Sequence, residues 1–114
     1  HPRLQHFDIK IIDPSHSSTK HLDAIWRWED ECYLLDNLNP DINVVLAVDL
    51  RTVKDDKLDE YPGSVFGNYF PVAWHHEFDG GRQFYTALGH KIEYYTDPAF
   101  VKHLEGGLIW VLEK

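Results

Sequence analysis

The chain has 114 residues and a mass of 13.4 kDa, enough for one small domain (residues 1–114) and too short for two. Apolar residues make up 43% and charged residues 26%, a balance that fits neither a disordered chain nor a membrane-embedded one. Nineteen Asp and Glu against eleven Lys and Arg give a net charge of −8 with no basic run, which argues against nucleic acid or an anionic membrane as partner.

Cys32 is the single cysteine, so no internal disulfide and no thiolate metal cluster is expected. No apolar run reaches the length of about 18 residues that a membrane-spanning helix needs. The chain lacks methionine and begins at His1, and it reads as a processed or excised piece.

In chain order, 7-FDIKIID-13 alternates and is rich in β-branched residues, which predicts a strand. The Pro and Ser of 14-PSHSS-18 predict a turn. Between Ala24 and Leu35 the pattern is mixed, and a strand over Asp30 to Leu35 is favoured because Asn37, Asn39 and Pro40 follow at once. The run 42-INVVLAVDL-50 is continuously apolar from Val44 to Val48, as in a central strand covered on both faces. An acidic connection follows, with 55-DDKLDE-60 as a solvated loop. The tetrad 78-FDGG-81 joins 71-PVAWHHEF-78 to 82-RQFYTAL-88 in a hairpin. The segment 90-HKIEYY-95 reads as a short helix or an irregular link. Asp97 as N-cap and Pro98 at the first helical position then start a helix with Phe100, Leu104, Leu108 and Val111 on its apolar face. Gly106 and Gly107 inside it admit a close neighbouring backbone or mark a kink. Strands with a terminal helix indicate an α/β fold with a mixed or mainly parallel sheet. One long helix covers one face only, so a missing remainder of the domain or a second copy of the chain is expected on the other.

Several residues bear chemistry. His90 follows Gly89 at the end of a predicted strand, the edge where ligands bind in open α/β sheets, and an imidazole there suits acid–base work. Its carboxylate partner is Glu31, Asp30 or Glu93. Adjacent strand residues diverge, so Asp30 and Glu31 make a poor glycosidase pair, and His75 and His76 point to opposite faces. Arg82, after Gly80 and Gly81, offers a five-donor fork at a place where a ligand can approach the backbone. His16 with Asp30 and Glu31 supplies N and O metal ligands, but the spacing matches no strong metal motif. No phosphate-loop or dinucleotide fingerprint occurs, so no metal and no cofactor is expected. Cys32 reads as a buried small hydrophobe. Trp74, Tyr85 and Trp110 read first as core.

The run 71-PVAWHHEFDGGRQFYTALGHKIEYYTDPAFVKHLEGGLIWVL-112 resembles the C-terminal signature of the ThuA-like (trehalose utilisation) family. Pro71 and Trp74 match its opening, and Gly81, Arg82, Phe84 and Tyr85 its arginine strand. Gly89 and His90 match its Gly-His pair, and Phe100, His103, Gly107 and Trp110 its closing helix. Upstream, His1-Pro2 and the Asp30, Glu31, Tyr33 motif also match, and 13-DPSHSSTKHL-22 does so without the family's proline after His16. The resemblance implies a flavodoxin-like, class I glutamine amidotransferase-like three-layer domain, present here as its C-terminal portion with a β-hairpin and a C-terminal helix. It implies a sugar or glycoside as the small-molecule partner and delivers no reaction. Within it, His90, Glu31, His75 and His76 are the catalytic candidates. Arg82, Gly81, Trp74, Asp30 and His16 are the ligand-binding ones. In the leading reading His90, Arg82, Glu31 and one of His75 or His76 line one pocket of a sugar-related, hydrolytic domain, with His90 as acid or base, Arg82 as anchor and Glu31 as the orienting carboxylate. In the other, the same residues stabilise a non-catalytic carbohydrate-binding or assembly domain.

Overall fold

The computed structural model describes residues 4–32, 42–54, 68–78 and 80–113. Five strands form one sheet: β1 (Leu4–Ile11), β2 (Ile25–Glu31), β3 (Asn43–Asp49), β4 (Tyr69–Phe78) and β5 (Gly81–Thr86). Their spatial order is β2-β1-β3-β4-β5. Short 3-10 turns follow at Leu50–Thr52 and Ile92–Thr96, and the helix α1 spans Pro98–Leu112. The strand expected to run to Leu35, the acidic loop 55–60 and His1-Pro2 lie wholly or partly outside the described residues.

Among the described residues every strand pairing is antiparallel, which corrects the expected mixed or mainly parallel sheet. The reason lies in the order of the elements. A parallel pair needs a crossover, usually a helix, and here the one long helix among the described residues comes after the last strand. The hairpin between β4 and β5 forms as the Gly-rich turn requires, with Gly80 at φ +79° and Phe78 opposite Gly81.

Strand β2 begins at Ile25, and within it Trp28 and Asp30 are buried while Ile25 and Arg27 are exposed. This is the period-two pattern of a half-buried antiparallel strand. In β3, Val45 to Val48 are all buried, but the register shifts between Val44 and Leu46 and again between Leu46 and Ala47. A bulged antiparallel strand therefore accounts for the unbroken apolar run, without the parallel neighbours that its composition suggested. The face away from α1 is polar along β1 and β2, where Arg27 Nη1 lies 2.8 Å from Asp8, and Lys10 Nζ sits 4.5 Å over the Tyr69 ring. Antiparallel sheets commonly present one such face to water.

The helix starts as predicted. Asp97 accepts from the amides of Ala99 and Phe100, and Pro98 follows it. Its buried face differs from the predicted stripe: Phe100, His103, Gly106 and Gly107 are buried, whereas Leu108 is 60% exposed. The two glycines decide this. A Cβ on Gly107 would lie 2.4 Å from Phe84 Cδ2 of β5, so bare helix backbone meets the sheet there. The core joins Phe7, Ile9, Ile11, Trp28, Leu46, Val48, Val72 and Phe100 between sheet and helix.

Candidate functional site

The structure distributes the candidate residues over two ends of the sheet. Asp30 lies opposite Gln5, near the start of β1. His75 lies opposite Asn43, beyond the level of Ile11 at the other end of β1. Ile11 lies six residues along the strand from Gln5, roughly 20 Å at about 3.3 Å per residue. The single pocket expected from the sequence is thus resolved into two clusters.

The first cluster centres on Asp30, which is 0% exposed. Its two oxygens accept from Trp28 Nε1 at 2.9 Å, from the Glu31 amide at 2.9 Å, and from the Gly89 and His90 amides at 2.7 and 3.3 Å. The fifth donor is the His90 side chain, whose Nδ1 lies 2.7 Å from Asp30 Oδ1. A carboxylate can only accept when ionised, so this contact places the hydrogen on Nδ1 and aims Nε2 away from the acid. The His90 side chain is 29% exposed. The carboxylate in contact with His90 is Asp30, with Glu31 taking the opposite direction of the strand pleat.

Gly89 makes this geometry attainable. Its φ of +102° is disfavoured for any other residue, and a Cβ would lie 2.8 Å from Phe100 Cζ. Tyr95 Oη donates to the Gly89 carbonyl at 3.0 Å, which fixes the turn from the other side. Beside it, Tyr94 donates to Glu29 at 3.1 Å, and burial with that carboxylate raises its phenol above the ordinary range. Tyr94 therefore stays protonated.

The second cluster gathers His16, His75, Arg82 and a residue that the sequence reading assigned to the core, Trp110. The His16 and His75 rings stack at 4.7 Å and 19°, and Trp110 tilts against His75 at 4.6 Å. Arg82 Nη1 donates to the Trp110 carbonyl at 2.8 Å in the last turn of α1, and its guanidinium lies 4.7 Å over the Trp110 ring. A cation is favourable at the carbonyl end of a helix. Arg82 also comes within 3.8 Å of Glu77 and, among the described contacts, bridges neither Asp30 nor Glu31. Gly81 opens β5, and His76 takes the face opposite His75, as strand alternation requires. Trp74 stacks on Tyr85 at 4.3 Å on that opposite face. Cys32 is buried.

His103 connects this cluster to the core. It is 0% exposed, its Nδ1 donates to the Ser18 carbonyl at 3.1 Å, and its Nε2 accepts from Thr86 Oγ1 at 3.0 Å. Burial pushes its pKa down to about 4. The unfolded chain binds this proton near the ordinary value of about 6.5, so the folded form is the one that resists protonation. Stability is then fully present above about pH 6.5 and falls as the pH drops towards 4. Urea unfolding at pH 7.5 and pH 5 should differ by about 2 kcal/mol from this residue. A His103→Asn variant whose pH dependence equals that of the parent chain would exclude the assignment.

Among the described residues, no three His, Cys, Asp or Glu side chains are placed to hold a metal ion. No helix among them is long and apolar enough to cross a membrane. An open groove of about 350 Å³, lined by Leu4, Gln5, His6, Arg27, Thr52 and Lys54, includes none of the candidate residues.

Comparison with known proteins places the chain in a family. Two solved structures share the fold. One is a protein named as ThuA-like from Bacteroides uniformis ATCC 8492, at 23% identity and TM-score 0.68, over 98% of this chain and 45% of that one. The other, named likewise, is from Parabacteroides merdae ATCC 43184, at 22% identity and TM-score 0.58, over 100% of this chain and 42% of that one. The chain thus spans less than half the length of either. None of the curated proteins matches. The family model for ThuA, described as trehalose utilisation, matches residues 1–111. This corrects the expectation that only a C-terminal portion of the family's domain is represented: the match runs over nearly the whole chain. The chain belongs to the ThuA (trehalose utilisation) family.

Proposed function

We propose that this chain carries the proton-transfer centre of a sugar-processing, hydrolytic protein, with His90 as acid or base and Asp30 as the group that orients it. The observation carrying this reading is the 2.7 Å contact between His90 Nδ1 and a carboxylate with no exposure, on an imidazole that is itself 29% exposed. A buried carboxylate on Nδ1 fixes the tautomer and stabilises the imidazolium that forms when Nε2 takes a proton. In hydrolysis Nε2 would draw a proton from the attacking water and return it to the departing sugar oxygen. Asp30 and Glu31 do not form a two-carboxylate glycosidase pair in this reading, because Asp30 is committed to five donors.

A second reading rests on the same five bonds. Three of them come from backbone amides, so Asp30 also latches the 88–90 turn to β2, as a non-catalytic sugar-binding domain would require. The two readings separate on turnover. Trehalose and a panel of simple glucosides are incubated with the chain and glucose release is measured. His90→Ala should lower turnover by roughly 100-fold or more, the usual contribution of a positioned acid–base group, in a chain that still folds. Unchanged turnover in that variant removes the catalytic reading. Sugar binding without turnover in the parent chain selects the second.

A further inference from the structure

The connection between β1 and β2 carries an unexplained pair of atoms. His16 Nε2 and His75 Nδ1 are buried, each exposing less than 1 Å², and neither has a hydrogen-bond partner among the described residues. Buried polar groups in folded proteins are nearly always satisfied, so two orphans in one ring stack call for a reason. A bound cation is not that reason. The Ser18 amide donates to His16 Nδ1 at 3.1 Å, which makes Nδ1 the acceptor, of the Ser18 hydroxyl at 2.7 Å as well, and leaves the hydrogen on Nε2. In this state the ring is neutral and holds its own segment in place.

The segment is docked by few other contacts. Ser17 Oγ donates to the Gly106 carbonyl at 2.6 Å, His103 Nδ1 donates to the Ser18 carbonyl, and His21 Nε2 donates to the Ala99 carbonyl at 2.9 Å. Within it, the Thr19 and Lys20 amides bond back to the His16 carbonyl at 3.0 and 2.9 Å. The His16 ring stacks on His75 of β4 and on Phe84 of β5.

We infer that residues 13–22 form a strap that proton uptake by His16 and His75 releases from α1 and the β4–β5 hairpin. A second proton on His16 must go to Nδ1. It displaces the Ser18 amide, turns the Ser18 hydroxyl from donor to acceptor, and leaves a charged ring stacked on His75, with Nε2–H lacking an acceptor among the described residues. Proton uptake by His75 puts a second charge into the same stack. The surrounding charges do not offset this. Asp13 in the strap, Glu77 on β4 and Glu113 after α1 favour the charged rings, while Arg82 on β5 opposes charge on His75. His21 and His16 both oppose charge on the neighbouring His103. Burial outweighs the acids, and the preference of both His16 and His75 for the proton is lowered in the docked strap. Release therefore sets in as the pH falls below about 6.5, the ordinary imidazole value.

Amide hydrogen exchange on the whole chain at pH 7.5 and 5.5, corrected for intrinsic rates, tests this. Protection at Thr19, Lys20 and Leu22 should fall at the lower pH at least tenfold further than that of β1 and β3, whose own loss is the roughly tenfold that His103 imposes on the whole domain. The His16→Phe and His75→Phe variants keep the ring stack without a titrating group, and each should reduce the pH effect. Protection lost equally across strap and sheet overturns the inference, because unfolding would then be global. So does a full pH effect retained in both single variants. Should His16→Phe fail to fold, imidazole nitrogen shifts in the parent chain decide. Titration of His16 and His75 in step with the strap amides supports release, and strap amides that change without them overturn it.

Discussion

Gly106→Ala should destabilise the protein by about 2 kcal/mol or more, although alanine gains about 1 kcal/mol of helix propensity over glycine. The added Cβ would lie 2.1 Å from the Ser17 carbonyl oxygen, 2.4 Å from its carbon and 2.5 Å from Ser18 Cα. All three are backbone atoms, so no side-chain rotation relieves the contact and the 13–22 segment must lift from the helix. Its bonds from Ser17 to the Gly106 carbonyl and from His103 to the Ser18 carbonyl are then lost together. Gly107→Ala is the informative comparison. Its Cβ meets the Phe84 ring, which can shift, so its cost should be smaller. Chemical denaturation of both variants settles the order, and a Gly106→Ala chain as stable as the parent would mean that the segment does not rest on the helix as described.

Asp30→Ala should cost about 3–5 kcal/mol, the range for breaking a buried charged network on one side. Five donors would lose their acceptor, among them the Trp28 indole and the Gly89 amide, and water cannot reach a position that is 0% exposed. Asp30→Asn separates packing from charge. It keeps the shape but must turn an amide NH₂ towards donors, so it should destabilise less than alanine and still release the His90 ring from its fixed tautomer. Thermal melts of the two variants read the first effect, and imidazole nitrogen shifts of His90 the second. If Asp30→Ala melts with the parent chain, the carboxylate is not the hub of this end of the sheet.

These two positions show what could be read from residue order. Asp30 and His90 were both legible as chemistry-bearing residues, because an imidazole after a glycine and a carboxylate next to a strand end are recognisable types. Their pairing was not legible. The sequence reading paired His90 first with Glu31, one residue away, and strand alternation alone does not say which of two neighbours faces the helix. The register of β2 against β1 decides it by burying Trp28 and Asp30 on one face. Arg82 was legible as an anchor, but its partner, the Trp110 carbonyl, is a backbone group at a helix end and leaves no mark in side-chain pattern.

Local chemistry determined the elements with strong local signals. The Asp97-Pro98 start of α1, the Gly-rich β4–β5 hairpin and the strand identities of β1, β3 and β4 follow from capping, turn residues and β-branched runs, all of which act within a few residues. The tertiary structure alone decided the strand directions, the bulge at Val45, the helix face that is buried and the division of the candidate residues between two ends of the sheet. Each depends on contacts between residues far apart in the chain. Gly106 against Ser17 is the plainest case: a missing side chain records that something approaches closely, and only the fold says what.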